Sequence, residues 1–284
     1  MPLTDRILVT GAAGRLGSAV VKAFEGCEVI AHTRGTLDVT DPVAVKRAVS
    51  AAAPALVINC VGFNDVDGSE ERATEALAVN AFAVRSLARA SEECRATFVH
   101  FGTDFVFDGS ASEPYGEEVV PAPRSIYGLS KLLGEWFALE HPRAYVLRVE
   151  SLFGVPGPGS TRHGSLGAIV ARIRAGEPVP VFVDRTVSPS YTSDVAHATA
   201  EVLDADAPYG LYHCVNSGAV TWQAVATEAA RVIGLSVQIE PITLEQAALK
   251  APRPKYCALS NARLAAAGVP MPPWQDALRR HLVG

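Results

Sequence analysis

The chain has 284 residues, 49% of them apolar and 19% charged, so it can bury a sizeable core and is not a disordered protein. A formal net charge of −5 offers no basic face, which argues against nucleic acid as a partner. No apolar run is long enough to span a bilayer, and the first strand starts too close to Met1 to leave room for a signal peptide. The five cysteines (Cys27, Cys60, Cys94, Cys214, Cys257) are scattered without metal spacing, so reduced thiols in a cytoplasmic protein are expected.

Arg6 to Thr10 reads as a buried strand. Gly11-Ala12-Ala13-Gly14-Arg15-Leu16-Gly17 follows, and then an apolar helical stretch over 18–24. Strand, glycine turn and helix in that order form a dinucleotide site. Gly11 makes the tight turn, Gly14 lets the backbone approach a pyrophosphate, and Gly17 lets the helix pack near the strand. The helix start then faces the phosphates with its unpaired N–H groups.

A second strand is expected over 28–33, and Thr40-Asp41-Pro42 is a helix start with a capping side chain and an early proline. Further strands are expected over 55–60, 97–101 and 143–149. Helices are expected over 43–52, over about 70–94 with an interruption, and near 125–139. Strands alternating with helices predict an α/β fold with a doubly wound parallel sheet, Rossmann-like, over residues 1–149. From residue 150 the pattern changes. A loop over 154–160 leads into a smaller C-terminal α/β substrate domain, 150–284, of which about 186–205 could return to the first domain. Strands over 178–183, 210–215 and 237–239 and helices over 167–175, 193–203, 221–233 and 274–282 fill it. The ligand cleft is expected between the two domains, at the carboxyl ends of the strands.

The second strand ends in Thr33-Arg34, where an NAD site usually carries an acidic residue. Arg34, with Arg15, could hold a 2′-phosphate instead, so NADP(H) is preferred and NAD(H) is allowed. Asp38 and Val39 would border the adenine. Tyr127 and Lys131 are four residues apart, on one face of a helix. A nearby ammonium favours the phenolate and suits Tyr127 to exchange a proton with a substrate oxygen. Thr103, just past the end of the fourth strand, can donate to that same oxygen. His100, His197 and His213 are expected to be packed and hydrogen-bonded. Trp222 and Trp274 should anchor helices, and Glu113, Glu117 and Glu118 should be solvated in a loop that borders the site.

The glycine spacing together with Thr103, Tyr127 and Lys131 resembles the extended short-chain dehydrogenase/reductases. Within them the chain most resembles the dTDP-4-dehydrorhamnose reductases. The stretches that carry the resemblance are Leu37-Asp38-Val39-Thr40-Asp41, Asn59-Cys60-Val61-Gly62, Val66-Asp67, Thr103 to Gly109 and Ile126 to Lys131. Ser188-Pro189-Ser190-Tyr191-Thr192, Gly210-Leu211-Tyr212-His213 and Arg253-Pro254 extend it through the second half. The resemblance implies cofactor contacts from Gly14, Arg15, Leu16, Asp38, Val39, Cys60, Val61 and Gly62, beside Tyr127 and Lys131. It places Val66, Thr103, Asp104 and Leu152 toward the substrate, with Leu152 where the family often has tryptophan. Ala19 stands where some members carry a metal-binding glutamate, so no metal site is expected; a homodimer is allowed.

The implied function is NADPH-dependent reduction of the C4 ketone of a nucleotide-linked, dTDP-type 4-keto-6-deoxysugar. Two alternatives stay open. One is another epimerase or 4-ketoreductase of the same group. The other is a non-catalytic NADP-binding regulatory subunit, like that of methionine adenosyltransferase.

Overall fold

The computed structural model describes residues 6–158 and 164–284, so residues 159 and 160 of the expected 154–160 loop lie outside the described residues. The chain begins with β1 (Arg6–Thr10), α1 (Arg15–Ala23), β2 (Glu28–His32), α2 (Pro42–Ala52) and β3 (Leu56–Asn59). Asp41 caps α2 by accepting from the N–H groups of Val43 and Ala44, with Pro42 in the first turn, as its sequence predicts. The expected interrupted helix is α3 (Val66–Glu71), α4 (Ala73–Leu77) and α5 (Ala83–Glu93), with a π-helical turn over Ala78–Phe82. β4 (Thr97–Thr103), a 3₁₀ turn over Asp104–Val106, α6 (Ile126–Leu139) and β5 (Ala144–Val149) complete the first half.

The second half is built from shorter pieces. It runs β6 (Leu152–Phe153), α7 (Gly164–Ala175), β7 (Val179–Phe182), β8 (Thr186–Val187), β9 (Ser190–Tyr191), α8 (Thr192–Asp204) and β10 (Gly210–His213). β11 (Val220–Thr221), α9 (Trp222–Ile233), β12 (Ile239–Ile242), α10 (Ala262–Ala266) and α11 (Trp274–Val283) follow. The strand expected over 237–239 is observed as β12, shifted toward the C-terminus and paired with β7. Pro180 and Pro241 lie within this pair, tolerated because each strand has only one partner, and they weaken its signal in the sequence.

Six strands form one parallel sheet in the order β10-β5-β4-β3-β1-β2. The order reverses beside β1, which opens a crevice at the carboxyl ends of β1 and β3. Alternate residues of the strands supply two cores. Ile7, Val9, Phe101 and Leu147 pack with α1 and α8 on one face, while Leu8, Val57, Phe98 and Val146 pack with α2 and α5 on the other. A third core, built on Phe153, Ile169, Val181, Trp222, Val225 and Leu278, belongs to the second half. α8 and β10 pack on the large sheet although they come late in the chain. Among the described residues no helix is long and apolar enough to cross a membrane.

Candidate active site

The glycine turn closes over the end of β1. Gly11 has φ +73, and a Cβ there would lie 2.8 Å from the backbone carbon of Cys60. A Cβ on Gly17 would lie 2.1 Å from the carbonyl oxygen of Gly11, so only glycine lets α1 start this close to the strand. Gly14 is different: its Cβ would meet only the Gly11 oxygen, at 3.2 Å. Gly14 precedes α1, and among the described residues no side chain caps the helix. The Leu16 and Gly17 N–H groups of the first turn can therefore face an anion. This cradle fits the pyrophosphate of a dinucleotide.

The residues expected around the cofactor fall into two groups. Arg34 is exposed just past β2, and its charge acts on Asp38. Asp38 accepts from the Thr40 N–H at 2.9 Å and hydroxyl at 2.7 Å, which hold its carboxyl below the usual range. Val39 beside it is buried. Arg15 instead donates to the Leu152 carbonyl at 3.3 Å, joining the glycine turn to β6. Cys60, Val61 and Gly62 follow β3 directly, opposite Gly11. The Val61 N–H donates to Asn59 Oδ1 at 3.1 Å. Thr10 donates to that same oxygen at 2.8 Å, and Asn59 Nδ2 meets His100 Nδ1 at 3.1 Å. A buried polar ladder thus crosses the ends of β1, β3 and β4.

Thr103 is the last residue of β4, and the 3₁₀ turn that follows meets α6 at Gly128. A Cβ on Gly128 would lie 2.3 Å from the Phe105 carbonyl oxygen. This close approach sets Tyr127 beside the strand end, with its ring edge-on to Phe105 at 5.3 Å. The Thr103 hydroxyl lies close enough to the Tyr127 phenol to act on it. Burial pushes the Tyr127 phenol well above its ordinary pKa; Thr103 and the charge of Arg253 act against it. Lys131, one turn further along α6, donates to the Phe101 carbonyl at 2.5 Å. Burial lowers its pKa to about 8, opposed by Glu135 and Cys60. Glu135 itself is paired with Arg148 at 2.8 Å in a fully buried ion pair. Arg253 is thus a cation that acts on the phenol, and Lys131 ties α6 to β4.

The residues expected toward the substrate lie on several elements. Thr103 donates to Asp104 Oδ1 at 3.0 Å. Val66 opens α3, whose Asp67 binds Arg253 at 3.1 Å. Leu152 lies in β6, half-buried against the sheet core. Behind Asp104 lie Glu150, Arg185 and Cys257, which the sequence did not bring together. The sequence also missed Asn80. In the π-helical turn it accepts from the Phe63 N–H at 2.8 Å and donates to the Ser130 hydroxyl at 3.0 Å, behind Tyr127. π turns of this kind are frequent at functional sites, and a lone asparagine in an alanine-rich run was the available signal.

Residues 5–283 match the family model described as the RmlD substrate binding domain. The chain belongs to this family. It is 37% identical to a dTDP-4-dehydrorhamnose reductase of Streptomyces griseus, covering 96% of this chain and 91% of that protein. It is 32% identical to a dTDP-4-keto-6-deoxy-D-glucose reductase of Streptomyces niveus, covering 97% and 96%. Among solved structures, a Bacillus anthracis dTDP-4-dehydrorhamnose reductase in complex with NADP superposes with a TM-score of 0.92 at 29% identity, covering 99% of each chain.

Two expectations for this RmlD-family chain need correction. His100 and His213 are buried and hydrogen-bonded, but His197 is exposed, because it lies on the outer face of α8. Glu117 is not simply solvated: it accepts from the His213 N–H at 2.8 Å and ties the loop over the site to β10. Trp222 and Trp274 are buried at the starts of α9 and α11, as expected.

Proposed function

We propose that the chain is an NADPH-dependent reductase acting on the C4 ketone of a dTDP-linked 4-keto-6-deoxysugar. The observation that carries this reading is the placement of Tyr127 beside Thr103 at the carboxyl end of β4, with the Tyr127 ring edge-on to Phe105 at 5.3 Å. Two hydroxyls placed there can converge on one carbonyl oxygen. The glycine cradle with α1 would hold the pyrophosphate, Arg34 the 2′-phosphate, Asp38 and Val39 the adenine side, and Lys131 the nicotinamide ribose. When bound, the dinucleotide supplies a hydride. Burial keeps the Tyr127 phenol protonated at neutral pH, so it serves as the acid that protonates the carbonyl oxygen. Thr103 polarises the same oxygen.

The substrate lobe is taken as residues 150–284, without α8 and β10, which pack on the large sheet. A groove of about 500 Å³, lined by Arg124, Arg253 and Lys255 with Asp108 and Glu245, shares Arg253 with the surroundings of Tyr127 and offers cations to a sugar diphosphate. Arg34 at the end of β2 favours an exchangeable NADPH over the tightly held NAD that an epimerase needs. The five free cysteines fit a cytoplasmic location. NADPH oxidation measured against dTDP-, GDP- and UDP-linked 4-keto-6-deoxysugars tests the reading. Oxidation with the dTDP sugars is expected. No turnover with any of them would overturn it in favour of a non-catalytic, cofactor-binding role.

A further inference from the structure

Directly behind Thr103 the fold buries two carboxylates and supplies one cation. Asp104 is 3% exposed and Glu150 is 1% exposed. A carboxylate oxygen of each and the Cys257 sulfur lie within 4.8 Å of one another. Arg185 lies 3.8 Å from Asp104 Oδ2 and donates to the Cys257 sulfur at 3.3 Å. Glu150 accepts from the Ser151 hydroxyl at 2.6 Å and from the Ser188 N–H. Asp104 Oδ1 accepts from Thr103 at 3.0 Å, while Oδ2 is buried without a hydrogen-bond partner among the described residues.

Two anions against one guanidinium would leave an uncompensated charge in a buried site. One of the two carboxyls therefore keeps its proton. Cys257 is not that proton's competitor, since burial holds its thiol neutral. The separation of the carboxylates lets one proton be shared directly or through a single water.

We propose that Asp104 and Glu150 hold one proton between them and return it to Tyr127 through the Thr103 hydroxyl after each turnover. The proposal rests on the reading of Tyr127 as the acid. The protons balance. Tyr127 gives its proton to the substrate oxygen, and the phenolate takes the Thr103 proton. Thr103 takes the proton of the pair, and the pair regains one from solvent. Glu150 does not touch the reacting atoms and acts as a positioning residue for the proton on Asp104. The charged and titratable groups facing the pair are Arg185, Cys257 and Tyr127, with Arg253 beyond the phenol. Burial and the charge of Asp104 raise Glu150 to about 8.

Two measurements test this. Infrared spectra of the free protein at pH 7 should show a protonated carboxyl band that Glu150→Gln removes. Should that variant not fold, Asp104→Asn provides the same comparison. No band in the wild type, or an unchanged band in the variant, overturns the shared proton whether or not the enzyme turns over. The second measurement compares the first turnover with steady state. In Glu150→Gln the first turnover should stay within about threefold of wild type, while steady-state turnover falls about tenfold or more, as for loss of a proton-transfer group. The ratio of steady-state to first-turnover rate should fall in wild type as pH rises through about 8, and should be flat in the variant. Lys131 titrates in the same range but acts on the first turnover too, so the ratio isolates the pair. Equal losses in both rates, or no loss, overturn the relay. A wild type with the band but no turnover on any keto sugar overturns the reductase reading and the relay with it.

Discussion

The Lys131 ammonium donates to the carbonyl oxygen of Phe101 at 2.5 Å, two residues before Thr103 on the same strand. This bond fixes the spacing between α6, which carries Tyr127, and β4, which carries Thr103. It also buries a charge, and burial lowers the lysine from 10.5 to about 8. Between these values the unfolded chain binds the extra proton, so stability rises with pH across that window. The cost of the buried ammonium is fully present below pH 8. Lys131→Met should therefore be more stable than wild type at pH 7, by up to roughly 3 kcal/mol less the lost hydrogen bond. The gap should close toward pH 10.5. Cofactor affinity and turnover should fall together in the same variant. Denaturant melts at pH 7 and pH 10 check the first part. A gap that does not depend on pH would show that the ammonium costs nothing to bury.

Gly14 and Gly17 should separate fold from function. Gly17→Ala places a carbon 2.1 Å from the backbone oxygen of Gly11, which cannot rotate away. Overpacking of this kind costs about 1–3 kcal/mol, so the melting temperature should drop. Gly14→Val meets only one oxygen, at 3.2 Å for its Cβ, and its bulk points where a pyrophosphate would lie. It should melt near wild type and lose NADPH binding in calorimetry. Normal affinity in Gly14→Val would place the dinucleotide elsewhere.

Local signals in the sequence reported the glycine turn, the Asp41-Pro42 helix start and the Tyr127–Lys131 face, because each is complete within a few residues. Thr103 was legible because it ends a continuous apolar strand. Glu150, Arg185 and Cys257 were not, since they meet through two-residue strands and a loop that carry no periodicity. Asn80 was hidden in a helical run whose π turn has no sequence pattern of its own. His197 and His213 look alike in the sequence, yet one is exposed on α8 and the other buried beside Arg148. Single residues in apolar stretches do not reveal which face of a helix they take until the packing partner is known.

Arg34→Asp should move the cofactor preference from NADPH toward NADH. Arg34 is exposed beyond β2 and no acidic side chain ends that strand. Removing a charge-assisted phosphate contact should weaken NADPH about tenfold or more, while the new carboxylate can accept from a ribose hydroxyl. Titrating both cofactors against both proteins measures the ratio. An unchanged ratio would mean that Arg34 is a surface charge and that the 2′-phosphate is read elsewhere.

Tyr127→Phe deletes one hydroxyl and keeps the ring that packs edge-on against Phe105. The fold and NADPH binding should therefore stay near wild type. Turnover should fall about 10²–10⁴-fold, the usual worth of general acid catalysis. Thr103 keeps its bond to Asp104 in this variant, so substrate can still be oriented but not protonated. In wild type the first-turnover rate should not fall through loss of the phenol proton until pH passes the ordinary tyrosine value of 10.0, because burial raises the phenol above it. Any decline near pH 8 belongs to Lys131 and should vanish in Lys131→Met. Stopped-flow NADPH oxidation across pH for wild type and both variants separates the two groups. A Tyr127→Phe protein with wild-type first-turnover rates would remove Tyr127 as the acid, leaving Thr103 as the remaining hydroxyl at the end of β4 to supply the proton.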